Sequence, residues 1–252
     1  MAKSEEIPDF GLLHGVKVLS TGTVAAEPYA ATLMAEHGAD VVQVENARSP
    51  EGMRKNVALE WAQDARCKRT IALDIPSKEG RGVFLDLIQW ADIWLESSKG
   101  GTYKKWGFDD EFLLELNPDL VIVHVSGYGE MGEPDYVRRP SYDPIAQAFS
   151  GFMYINSPRG TKPMAVFPGI GDFITALFAL WSSLAALLRA RETGEGDVST
   201  CPSTRRSCAF RLSIRPSISP RAISWSEIRI LTEMWAVSGS MSVGTAGMCT
   251  SP

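Results

Sequence analysis

Asp172 heads the most apolar stretch of the chain, "GIGDFITALFALWSSLAALL" over residues 169–188, with glycines at 169 and 171 beside it. At the start of a helix an aspartate caps the chain by accepting a backbone N–H. The same position suits chemistry: the positive end of the helix holds the carboxylate ionised, and flanking glycines let a substrate carbonyl come close. A carboxylate so placed is a covalent nucleophile toward an acyl group, and that chemistry needs no metal. Capping and attack are compatible, so the residues alone leave both open.

A second cluster is "ESSKGGTYKKWG", where Lys99, Lys104 and Lys105 stand beside Gly100 and Gly101 just past a strand-forming run. Ammonium groups with bare glycine amides suit an anion such as a phosphate; a solvated basic loop has the same composition. A third is "TGTVAAEP", which follows the first strand where a dinucleotide-binding loop would lie. It carries only Gly22 where that loop needs GxGxxG, although Glu45 ends the next strand where a ribose-binding acid would lie. A nicotinamide dehydrogenase is therefore a weak rival. His14, His37 and His124 stand singly, as core or surface histidines do. Cysteines 67, 201, 208 and 249 form no CxxC pair and have no histidine partners at ligand spacing, so neither zinc nor a disulfide framework is expected.

Alternating elements must position these residues. "VKVLS", a helical segment and "VVQVE" read as a βαβ unit; "TIALDI", the helix "SKEGRGVFLDLIQWA" with Ser77 as N-cap, and "DIWLES" read as a second. The helix "DDEFLLELNPD" then leads into the buried strand "LVIVHVSGYG". The expected fold class is α/β, Rossmann-like, with a mostly parallel sheet flanked by helices. Beyond Pro140 the chain reads as helical through "SYDPIAQAFSGFMY" and, after a loop, from Asp172 to about Thr193.

From about Ser199 the character changes: the last 54 residues hold 12 serines and 6 arginines, with no lysine and no aspartate. No sustained period appears there apart from a short helical phrase, "SWSEIRILTEMW". Two domains are expected: 1–198 as the ordered part, and 199–252 as a Ser/Arg-rich tail, disordered or translated out of frame.

The 252 residues allow a sizeable core, and 44% hydrophobic and 22% charged residues with net charge -5 describe an acidic globular protein. Nucleic acid is an unsuitable partner for that charge. The N-terminal "MAKSEEIPDFGLLHG" lacks the apolar core of a secretory signal, and the apolar run Phe173 to Leu188 is short for a membrane span. A cytoplasmic protein with no membrane partner is expected.

The phrases "FLDLIQWADIWLESSKGGTYKKWG", "NPDLVIVHVSGYGEMGEPDYVRRPSYDPIAQAFSGFM" and "GDFITALFALWSSLAALLRARETGEG" occur in order with the acid in place. Together they resemble the family III CoA-transferases, nearest the branch of the bile-acid-inducible and carnitine CoA-transferases. The resemblance covers roughly Phe10 to Val198. It implies an enzyme that moves CoA between an acyl-CoA and a small carboxylic acid, of bile-acid or carnitine type. Asp172 would attack the thioester, form a mixed anhydride, and become an aspartyl-CoA thioester. Coenzyme A would be a co-substrate, with no tightly bound cofactor and no metal. Lys99 matches a CoA-contacting lysine, Lys105 stands in for an arginine whose own position is Trp106 here, and the loop Val24, Ala25, Ala26 would lie along the CoA.

Related racemases carry a histidine before an aspartate where this chain has Tyr142-Asp143, which favours transfer over racemisation. Full-length members form interlocked homodimers with a second domain and a glycine-rich lid. Neither is recognisable after Val198, so a homodimer is expected of the full-length family and not carried over to this chain. A thioester hydrolase using the same aspartate, and an inactive truncated fragment, are the alternatives.

Overall fold

The computed structural model describes residues 10–49, 52–56 and 58–204. These all lie in one compact unit, Met1–Ala209. The helical phrase expected near residues 224–235 and most of the expected tail lie outside the described residues.

Six parallel strands make one sheet in the order β3-β2-β1-β4-β5-β6. The chain runs β1 (Lys17–Ser20), α1 (Ala26–Glu36), β2 (Asp40–Asn46), then two short helices, α2 (Gly52–Asn56) and α3 (Ala58–Asp64), to β3 (Arg69–Leu73). It continues through α4 (Lys78–Trp90), β4 (Ile93–Glu96), α5 (Thr102–Lys105), α6 (Asp110–Leu116) and β5 (Val121–His124). After α7 (Pro134–Val137), α8 (Asp143–Phe149) and α9 (Phe152–Asn156), the long helix α10 (Ile170–Thr193) leads to β6 (Asp197–Thr200). The expected α/β, Rossmann-like class is what the chain adopts, and the sheet is parallel throughout. The order reverses direction beside β1, between β1 and β4, which opens a crevice at the carboxyl ends of those strands.

Strand alternation explains the two-layer core. Side chains on a strand point to opposite faces in turn, so Val18, Ile93, Leu95, Val121 and Val123 face α1 and α10, where Met34, Ala176, Ala179 and Leu187 meet them. Leu19, Trp94 and Ile122 face α4 and α6 and pack on Phe84, Ile88, Phe108 and Leu113. Trp94 and Phe84 are wholly buried, their rings 5.6 Å apart edge to face, and the Trp94 indole N–H donates to Thr21 Oγ1 at 3.0 Å. Burial of each such aromatic contributes on the order of 2–3 kcal/mol. Ser77 caps α4 as expected, its hydroxyl accepting from the Gly80 N–H at 2.9 Å.

Three features depart from expectation. The helix expected over 141–154 is two helices, because Gly151 takes a left-handed φ of 76° and starts α9 anew. The apolar helix is not buried all round: Thr175, Ala176, Ala179, Ser183, Leu187 and Ala190 face inward, while Leu177, Trp181 and Leu188 are exposed. By length and composition it is the one helix among the described residues that could cross a membrane; here it packs on α1 and the sheet. Its serines are accommodated because Ser182 and Ser183 donate to the carbonyls of Phe178 and Ala179 one turn back.

The third concerns the expected boundary after Val198, which falls inside β6. This strand pairs with β5 from Val121↔Asp197 to His124↔Thr200, and residues 201–204 are buried beyond it. Gly196 makes the approach possible, since a Cβ there would stand 2.1 Å from the Leu120 carbonyl oxygen.

Candidate active site

A cleft of about 350 Å³ opens at the carboxyl ends of β1, β4 and β5. Three distant parts of the sequence meet in it: Val24, Ala25 and Ala26 after β1, Ser97, Ser98 and Lys99 after β4, and Asp172 in the first turn of α10. Ser126, Gly127, Arg139, Ser141 and Tyr142 complete much of the wall. Of the expected site residues only Lys105 lies elsewhere. It is exposed at the end of α5, and Lys104 lines a different hollow. Arg139 was not anticipated; it sits in the loop before α8 with its guanidinium 4.7 Å over the Tyr136 ring.

The loop after β1 is held under strain. Val24 has a φ of 71°, a conformation that a β-branched residue adopts only when its surroundings enforce it. The enforcement comes from beneath. Gln43 on β2 accepts from the Ser20 hydroxyl at 2.8 Å and donates to the Gly22 carbonyl at 2.9 Å. Lys68 donates to the same Gln43 oxygen and to the Pro28 carbonyl. Glu27 lies fully buried against Gly22. Burial drives its carboxyl up to about 8 against the pull of Lys68, and burial brings the Lys68 ammonium down to about 8. Composition gives no hint of this, since "VAAEP" reads as an ordinary first turn with an acid. Ala25, the residue before α1, offers no capping side chain, and with Ala26 it lines the cleft.

Asp172 does not cap α10. It is the third residue of the helix, the preceding turn is made by Gly169 in a left-handed conformation, and no side chain of the helix itself caps it. The cap comes from α8: Asp143 Oδ1 accepts from the Gly171 N–H at 2.6 Å and the Asp172 N–H at 3.2 Å. The expectation that the helix end keeps Asp172 well ionised is also corrected. Burial, then the nearby Asp143 and Asp64 carboxylates, raise its carboxyl from 3.8 to about 7. The site therefore holds a carboxylate that is basic enough to be a good nucleophile and is half ionised near neutrality.

Beside the cleft, and sharing Lys99 with it, lies a second hollow of about 220 Å³ lined by Glu96, Asp110, His124 and Glu130. His124 is buried with Nδ1 2.7 Å from Glu96 Oε1 and Nε2 3.1 Å from Asp110. Burial pulls its pKa down, but the two carboxylates outweigh that and lift it to about 10. The imidazolium thus ties the end of β4 to α6. Glu96, His124 and Glu130 bring ligand-type atoms within 4.8 Å of one another; with both ring nitrogens already engaged by carboxylates, the arrangement is that of an ion triad.

Comparison with known proteins follows the same residues. The model of CoA-transferase family III matches residues 13–210. Bile acid CoA-transferase BaiK of Clostridium scindens is 44% identical over 191 residues, which are 75% of this chain and 43% of that protein. L-carnitine CoA-transferase of Proteus mirabilis is 39% identical over 198 residues, 78% of this chain and 48% of that protein. The chain thus spans a little under half the length of these curated relatives. Among solved structures, a CAIB/BAIF family protein from Brucella suis aligns with a TM-score of 0.74 at 24% identity, covering 82% of this chain and 58% of that one. Rv3272 of Mycobacterium tuberculosis aligns at 0.76 and 24% identity, covering 84% and 61%. At such identity these two speak for the fold.

Proposed function

The chain belongs to CoA-transferase family III, and from that premise we propose that it carries the nucleophile and CoA-binding wall of a transferase that moves CoA between an acyl-CoA and a free carboxylic acid. The observation that supports this reading is the convergence of Asp172, Lys99 and the Val24–Ala26 loop on one cleft, from positions far apart in sequence.

In this reading the ionised Asp172 carboxylate attacks the thioester carbonyl carbon, the C–S bond breaks, and CoA leaves as a thiolate. The product on the protein is a mixed anhydride of Asp172 and the acyl group. The thiolate then attacks the Asp172 carbonyl, expels the acyl group as a free carboxylate, and leaves an aspartyl-CoA thioester. An acceptor carboxylate runs the same two steps in reverse, regenerating Asp172 and departing as the new acyl-CoA. No proton is gained or lost over the cycle. The first amides of α1 and the cations Lys99 and Arg139 would hold the anionic parts of CoA.

The acceptor class follows the relatives' names: a bile acid or a carnitine-type acid. The test is transfer from an acyl-CoA to an isotopically labelled acid of each class, with and without Asp172→Ala. Labelled acyl-CoA formed only with intact Asp172 supports the reading. Acyl-CoA consumption without transfer to any acid, water being the acceptor, would replace it with a hydrolase.

A further inference from the structure

An aspartate in the first turn of a helix ordinarily gains from the helix's positive end and becomes a weaker base. Asp172 does not: burial raises its carboxyl most, and a second carboxylate adds to that rise. Asp143 stands at the head of α10 from the neighbouring helix, buried to 7% exposure, and takes the N–H groups of both Gly171 and Asp172 on one oxygen. Its other oxygen accepts from the Gln147 side-chain amide.

Gln147 has no freedom in this. It is wholly buried, its Oε1 accepts from the Val166 N–H at 2.8 Å, and its Nε2 donates to the Val166 carbonyl at 3.0 Å. The backbone of Val166 therefore fixes which end of the amide faces Asp143, and that end is the donor. Every hydrogen bond described for Asp143 comes from an N–H donor. The same clamp ties α8 to the segment that enters α10.

We propose that Asp143, locked by Gln147, is a positioning residue that takes the α10 amides for itself and denies the positive end of the helix to Asp172. The inference rests on the reading of Asp172 as nucleophile for its meaning, but its test does not depend on turnover. Two carboxylates face Asp172 from separate elements, Asp143 on α8 and Asp64 at the end of α3. Lys99 and Arg139 line the cleft it shares. Burial first, and then the two acids, bring its carboxyl to about 7. For a group that must attack a carbonyl, the gain is basicity.

The experiment is a carbon-13 NMR titration of the whole chain labelled at aspartate carboxyls, with the Asp172 signal assigned by its loss in Asp172→Asn. The wild-type midpoint should fall near 7, and Asp143→Asn should move it toward acid by on the order of one pH unit. An asparagine at 143 would turn an NH₂ group against the Gln147 NH₂. The double variant Asp143→Asn, Gln147→Leu removes that conflict and should show the same displacement. A role confined to helix capping would lower the melting temperature and leave the midpoint in place. A midpoint unmoved or raised in both variants, or a wild-type midpoint near the ordinary aspartate value, overturns the proposal. Failure of CoA transfer would leave this titration result standing, so the two readings fail separately.

Discussion

Replacing Asp172 by asparagine should make the protein more stable, and only in a defined range of pH. The carboxyl sits at about 7 in the fold against an ordinary 3.8. A rise of about three pH units, at about 1.4 kcal/mol each, sets a ceiling of about 4 kcal/mol. Asp172 is partly open to the cleft, and solvent screening reduces this to about 2 kcal/mol. The sign follows from linkage: a carboxyl raised by folding contributes stability that is fully present below its unfolded value and is lost as pH rises through its folded value. Wild type therefore loses this stability between about pH 4 and pH 7, whereas asparagine never does. For a unit of this size, about 2 kcal/mol corresponds to a melting-temperature gap of about 4–8 °C. Melts of both proteins from about pH 5 to about pH 8.5 should show the variant pulling ahead as the pH rises. Packing changes at the substituted side chain are independent of pH and cancel in that trend. A gap that is constant, or that widens toward acid, would refute the reasoning.

Three further outcomes are expected. Lys99→Ala should weaken CoA binding by on the order of ten-fold, measured by calorimetry, while Lys105→Ala, outside the cleft, should change it little; equal effects would contradict the placement of these lysines. His124→Gln should lower the melting temperature near neutrality. It should also remove a loss of stability that wild type shows as pH climbs from the ordinary histidine range through about 10, because a raised histidine contributes below its unfolded value and is lost above its folded one. Gly196→Ala should destabilise the protein by about 2 kcal/mol or more in denaturant melts, since the new Cβ would collide with the Leu120 carbonyl; a neutral result would mean that β6 does not pair with β5 as described.

Much of the frame was legible because its signals are local. β1, β2, β4 and β5 are runs of β-branched and apolar residues flanked by turn residues, and Ser77 announces the helix that starts at the next residue. The cleft was legible too, since the carboxyl ends of parallel strands gather ligands and Val24–Ala26 and Lys99 follow such ends. What stayed hidden depends on distant partners. β6 reads Asp-Val-Ser-Thr, with one apolar residue against the apolar runs of β4 and β5, and it pairs along the open edge of β5. The cap of α10 comes from a residue 28 positions earlier, so Asp172 looked like its own cap. Lys105 sits among three lysines of similar aspect, and only the turn of α5 sends it outward. Glu27 reads as a first-turn acid until the strands close over it and Lys68 becomes its neighbour.

The central claim is that Asp172 becomes covalently attached to CoA. The intact mass of the purified chain, recorded before and after incubation with an acyl-CoA and alongside Asp172→Ala, tests this most directly. The account predicts a mass increase equal to a CoA thioester, present in wild type and absent in the variant. An adduct that persists in Asp172→Ala, or transfer activity with no adduct in wild type, would contradict it.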